Sequence, residues 1–187
     1  MPVTQIIDSL FVEGELPVVL IRHEKPEDIP LIHSVIEQTF KRDAEARLAD
    51  KLRRSCADCL SLVADDNGSI VGHIMFTPVR IENHKTVQGM GLAPMAVIPS
   101  KQRRGIGKLL VKTGLKILQE KGCPFVIVLG HPEYYPRFDF QPASRLTIKS
   151  QWDDVPDEAF MILVMDDKVM QNVSGIARFR DEFTEAV

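Results

Sequence analysis

Apolar and polar positions alternate along this chain in two rhythms. "PVVLIRHE" (17–24) is an apolar run ending in charge and predicts a first strand. From Pro26 the period lengthens. Ile29, Ile32, Ile36 and Phe40 fall on one side of a helix that starts near a proline. "AEARLADKLRR" (44–54) predicts a second short helix made of good helix formers. Two apolar runs, 60–65 and 69–81, flank Asp66-Asn67-Gly68 and predict a hairpin. "TVQGMGLAPMAVI" (86–98) predicts a strand that two glycines and a proline make irregular.

Past Gly105 the pattern is helical again. Ile106, Leu109, Leu110, Thr113, Gly114, Ile117 and Leu118 share one side, and Lys108, Lys112 and Lys116 the other. "PFVIVLG" (124–130) predicts a strand buried on both faces, and "EAFMILVM" (158–165) is a later apolar run. Strands that precede helices and then alternate with them predict an α/β (α+β) fold, a mixed sheet with helices on its faces.

At 187 residues and 44% hydrophobic, the chain suits one globular domain over 1–187, with a core at roughly 18–165 and a C-terminal extension at 166–187. The net charge of −3 and an aromatic content of 6% argue against a nucleic-acid partner. Charge is uneven, however. Residues 100–121 carry seven bases against one acid, and 152–187 nine acids against three bases. No apolar run spans a bilayer, no signal peptide is evident, and three cysteines make no disulfide framework, so a reduced, cytoplasmic protein without a membrane partner is expected.

The basic stretch concentrates charge around two glycines at a helix start. First-turn amides there point back over Gln102, Arg103, Arg104, Gly105, Ile106 and Gly107 with the positive end of the helix dipole. Glycine permits close backbone approach, and Arg103, Arg104 and Lys108 add full charge, as in a pyrophosphate cradle. An exposed basic helix start is the other reading. A Walker A loop fails at Gln102 and Leu109, and a dinucleotide fingerprint fails at Leu110.

Gln102-Arg103-Arg104-Gly105-Ile106-Gly107 resembles the Q/R-x-x-G-x-G/A signature of the GNAT superfamily of acyl-CoA-dependent N-acetyltransferases, set between "MAVIPSKQ" and an amphipathic helix as in that family. "GHPEYYPRFDF" (130–140) and "VADDNGSIVGHIMFTPV" (63–79) are similar to segments of a subgroup of small predicted acetyltransferases. The resemblance spans roughly residues 18–165. It implies a mostly antiparallel sheet whose fourth and fifth strands splay at a bulge, with Gly91 and Pro94 suiting the interruption. It also implies that main-chain groups of Met95, Ala96 and Val97 meet the pantetheine arm of acetyl-CoA, and that amides of Arg103 to Lys108 take its pyrophosphate. The reaction implied is direct transfer of an acetyl or other acyl group to an amine in a ternary complex.

Such transfer needs a neutral amine and a protonated leaving thiol. Residues 86–98 hold no Asp or Glu; Glu82, His73 and His84 are near in sequence but read first as structural, a strand-end charge, a strand histidine and a loop histidine, and a water chain serves as well, so no general base is assigned. For the acid, Tyr135-Pro136-Arg137-Phe138-Asp139-Phe140 matches the family's Y-x-K/R-x-G-F segment except at Asp139, with Tyr134 as the alternative donor. His131 and Glu133 are candidates for substrate contacts. Cys56 and Cys59 form one CxxC that, with Cys123 alone remaining, completes no four-cysteine zinc site, and no metal is expected. The acceptor, a small-molecule amine or a peptide or protein amine, is not legible, and a homodimer is expected only as a base rate. A non-catalytic acyl-CoA-binding module is the rival reading.

Overall fold

The computed structural model describes residues 8–10 and 19–184. In chain order come β1 (Asp8–Leu10), β2 (Val19–His23), α1 (Ile29–Phe40), α2 (Ala44–Ser55), β3 (Leu60–Asp66), β4 (Ser69–Ile81), β5 (His84–Val97) and α3 (Ile106–Glu120). They are followed by β6 (Phe125–Leu129), β7 (Gln141–Pro142), β8 (Ile148–Ser150), β9 (Phe160–Val164), α4 (Asp167–Met170) and β10 (Gly175–Arg178). Pro17 and Val18, the expected start of the first strand, and the last three residues of the tail lie outside the described residues.

The sheet runs β1-β2-β3-β4-β5-β6-β9-β7, with β10 attached to β4 and β8 to β10. All pairs are antiparallel except β5 with β6 and β10 with β8. The expected mixed, mostly antiparallel sheet with helices on both faces is what forms. Asn67 (φ 52°) and Gly68 (φ 89°) both take the left-handed backbone that a tight two-residue hairpin demands, and they join β3 to β4 at Asp66↔Ser69.

Ile32, Val35 and Ile36 of α1 and Ala46, Ala49 and Leu52 of α2 cover one face, against Met75, Phe125 and Ile127. Leu110, Val111 and Ile117 of α3 cover the other, against Ile74, Phe76, Val126 and Val128. Four consecutive residues of β6 thus divide between two cores, which is why its sequence shows no alternation. On α3, Gly114 lies directly on the Phe76 ring, where a Cβ would come within 2.6 Å of Cζ.

The stripe on α1 differs from expectation. Phe40 is 37% exposed, and Thr39 turns inward instead, its hydroxyl donating to Val35 O (2.7 Å) and lying 3.1 Å from Val97 O. A threonine whose hydroxyl finds carbonyls can occupy a position that polarity alone assigns to water.

Two strands diverge where the cofactor arm was expected. Parallel pairing joins Met90, Gly91 and Leu92 to Val126, Ile127 and Val128, and β5 has no further pairing to β6. On its other edge, β5 slips against β4, the partners stepping from Met95↔Ile74 to Leu92↔Phe76. The interruption therefore sits at Ala93-Pro94, where proline supplies no amide. Gly91 has a different role from the one expected: it is paired on both sides, to Thr77 and Ile127, and its missing side chain makes room for the Phe179 ring. The stretch expected as a C-terminal extension is built into the fold through its described residues. There β10 pairs with Ile81 and Arg80 of β4, and Phe179 and Phe183 enter the core of the α1/α2 face.

Candidate active site

The chain enters α3 through two left-handed residues, Arg103 (φ 59°) and Gly105 (φ 87°), the second being the helix N-cap. With glycine at the cap, no side chain satisfies the first turn. The first amide bonded in the helix is that of Leu109, to Gly105 O at 2.9 Å. Among the described residues, the amides of Arg103 through Lys108 donate to no carbonyl. They converge at the positive end of a fifteen-residue helix, with Arg103, Arg104 and Lys108 exposed beside them. Ile106 contributes its amide only, since its side chain is in the core.

The end of β5 forms the adjoining wall. The Ile98 amide donates to Val71 O (3.0 Å), so by antiparallel alternation Ala96, opposite His73, turns its peptide groups toward β4. Those of Met95 and Val97 face the gap left by β6. The Val97 carbonyl already accepts from Gln102 Nε2 at 2.9 Å, and Thr39 Oγ1 stands at 3.1 Å. Gln102 thus ties the amide-rich loop to the strand end, and Met95 and the Val97 amide remain open. Of the three strand residues expected to meet the cofactor, Ala96 is the one whose peptide groups the ladder occupies.

A cleft of about 880 Å³ joins these parts. Met95, Val97, Gln102, Arg103, Gly105, Gly107 and Lys108 line it on one side, and His131, Glu133, Tyr134, Tyr135 and Arg137 on the other. Thr39 reaches it from α1, a contact that sequence reasoning missed. The Tyr134 hydroxyl stands over Gly107, and the Arg137 guanidinium lies 4.7 Å from the Tyr134 ring centre. Tyr135 is only 6% exposed; its ring packs on Gly130, where any Cβ would overlap it, and edge-on to Phe140. Asp139, where the resembling segment has glycine, takes a left-handed backbone (φ 67°), a conformation that glycine favours and aspartate tolerates. Burial pushes both phenols above their ordinary value. Tyr134 raises Tyr135 further, and Arg137 partly offsets the rise at Tyr134. Both hydroxyls are therefore protonated at neutral pH.

A family model for the acetyltransferase (GNAT) domain matches residues 20–143. The Escherichia coli K12 protein YhbS, named as an uncharacterized N-acetyltransferase, is 34% identical over 165 residues, covering 88% of this chain and 98% of its own length. The chain belongs to the GNAT acetyltransferase family. Another E. coli K12 relative, YjhQ, with the same kind of name, is 40% identical over 116 residues, or 60% of this chain and 64% of its own. The crystal structure of E. coli YhbS in complex with CoA superposes with a TM-score of 0.85 at 32% identity, covering 93% of this chain and 96% of that one. A GNAT acetyltransferase from Brucella melitensis, solved with acetyl-CoA, superposes with a TM-score of 0.71 at 30% identity, covering 88% and 97%.

The residues weighed as a base lie away from this GNAT cleft. Glu82 pairs with Arg178 (3.1 Å), and His84 accepts from the Ser174 amide (3.5 Å), both at the hairpin end of β5 opposite Val97. His73 is 0% exposed beneath α1 and α2. Its Nε2 meets Ser61 Oγ at 2.8 Å, and burial holds its pKa down. Cys56 is buried at the end of α2, and burial and the neighbouring Cys56 push the Cys59 thiol up to about 12. Among the described residues, no three His, Cys, Asp or Glu side chains gather closely enough to hold a metal ion.

Proposed function

We propose that this chain moves the acetyl group of acetyl-CoA, or another short acyl-CoA, directly onto an amine held beside it in a ternary complex. One observation carries the reading: Arg103, Gly105, Gly107 and Lys108 with their unbonded amides, the strand end of Met95 and Val97, and two protonated phenols line a single cleft. The cleft fits the cofactor because glycine at 107 leaves free the space beside the amides that a side chain would fill. The CoA held by YhbS and the acetyl-CoA held by the Brucella protein support the same reading.

When bound, acetyl-CoA supplies an acetyl thioester. The amides of residues 103–108 hold its diphosphate, each charge-assisted bond contributing about 1.5–3 kcal/mol. Met95 and the Val97 amide align the pantetheine arm as a short strand-like pairing, and Tyr135 donates a hydrogen bond to sulfur as charge builds there. The Tyr134 hydroxyl, over the start of α3, contacts the cofactor nearer its diphosphate. A lysine-like acceptor, of pKa about 10.4, must lose a proton at a cost of roughly 4–5 kcal/mol at neutral pH.

Calorimetry with acetyl-CoA, followed by a thiol-release assay over small amines, peptide N-termini and protein lysines, tests the proposal. Binding with amine-dependent CoA release supports it. Binding with no release over the whole panel supports the non-catalytic module instead, and absence of binding removes both.

A further inference from the structure

We infer that His131 takes the proton from the acceptor amine, an inference that rests on the acetyl-transfer reading above. The cleft itself narrows the choice. Lys101, Arg103, Lys108 and Arg137 line it with ammonium and guanidinium groups, which are hydrogen-bond donors without an acceptor. Tyr134 and Tyr135 are kept protonated by burial and serve as donors. From α1 comes Thr39 and from β5 come Met95 and Val97, none of which is ionisable in this range. Two side chains remain that can accept a proton, His131 and Glu133.

Position and chemistry both favour His131. The last parallel pair of the splayed strands is Leu92↔Val128, and His131 follows three residues later at the open end of the gap. Its carbonyl accepts the amides of Tyr134 (3.0 Å) and Tyr135 (3.5 Å), so imidazole and both phenols issue from one turn. The imidazole is exposed and has no side-chain partner among the described residues. Glu133 shares its part of the turn with Arg137, whose Nη2 lies 3.4 Å from the Glu133 carbonyl. Imidazole is the side chain most often used as a general base, since one ring nitrogen accepts a proton and the ring can pass it on to water.

Protons balance in this scheme. An ammonium acceptor gives one proton to His131, which returns it to water. The neutral nitrogen attacks the acetyl carbon, forming C–N, and the C–S bond then breaks. As the adduct collapses, the second proton on nitrogen passes to water and the departing sulfur takes one proton from water, with the Tyr135 hydroxyl donating a hydrogen bond to it, so the net release is one proton.

The test is the pH profile of turnover at saturating acetyl-CoA for wild type, His131→Gln and Glu133→Gln, with acetyl-CoA affinity measured by calorimetry alongside. The inference expects His131→Gln to lose the ascending limb and roughly 10²-fold in kcat, with affinity unchanged. It further expects added imidazole to restore part of the rate in His131→Ala, and Glu133→Gln to keep the limb. Retention of the limb and rate in His131→Gln overturns the inference, as does a parallel loss of acetyl-CoA binding, which would make His131 a cofactor contact. A wild type that binds acetyl-CoA but releases no CoA with any amine overturns the transfer reading and this base with it, and is recognisable before any variant is made.

Discussion

The Tyr134 hydroxyl stands 3.0 Å from the point that a Cβ on residue 107 would occupy, with Val97 and Met95 side-chain atoms about 3.9–4.0 Å away. This one glycine brings the aromatic segment, the strand end and the helix start together. Gly107→Ala should fold normally, because a phenol tip can give by a few tenths of an ångström, and should weaken acetyl-CoA binding by about 10-fold, the equivalent of one bond of about 1.4 kcal/mol. Gly107→Glu should abolish binding, since its carboxylate would sit in the anion's place; Arg103→Ala should weaken it less. Calorimetry on folded variants decides, and unchanged affinity in Gly107→Glu would remove the diphosphate site.

The two tyrosines separate by kinetics. Tyr135→Phe should lower kcat on the order of 10²-fold with acetyl-CoA affinity nearly unchanged, because its hydroxyl acts on a charge that grows only in the transition state. Tyr134→Phe should act mainly on affinity. The reverse pattern would exchange their roles.

His33 gives stability a pH dependence. Its Nδ1 is 2.8 Å from Asp50 Oδ2 and its Nε2 3.0 Å from Asp43 Oδ1, linking α1 to α2. The Asp50 hydrogen bond, joined by charge from Asp50 and Asp43 and opposed by burial, raises its pKa above 6.5. A raised imidazole stabilises fully below its unfolded pKa and loses that contribution as pH climbs through the folded value. The wild-type advantage over His33→Ala in unfolding free energy should therefore be larger at pH 6 than at pH 8.5, by at most about 1 kcal/mol because the pair is partly solvated, as denaturant titrations at the two pH values would show.

Gly114→Ala tests how closely α3 sits on the sheet. Its Cβ would press into Phe76, which is fully buried and cannot yield. Overpacking of about 1–3 kcal/mol exceeds the roughly 1 kcal/mol gained in helix propensity, so the melting temperature should fall by several degrees.

Cys59 should react slowly with thiol reagents. With its pKa pushed up to about 12, little thiolate exists at pH 8, and labelling of the native protein should lag that of the denatured chain by at least about 10-fold. Labelling at the denatured rate would mean that this thiol is activated.

Elements whose signal is local were legible in the sequence. Asn67-Gly68 set the hairpin because both positions need positive φ, and the apolar spacing after Gly105 set α3 because a helix must bury one face. The six residues Gln102 to Gly107 marked the proposed anion site for the same reason: glycine cap, free amides and charge all lie within one turn. Tertiary structure decided the rest. It gave Gly91 to the Phe179 ring, drew β10 onto β4, turned Thr39 toward Val97 and faced Ala96 away from the gap. It also brought His131 and the two tyrosines to the amides of α3, across more than twenty residues of chain. Periodicity reports that a face is buried, but not which distant segment covers it, and that pairing is settled only when loop closure and packing are satisfied together.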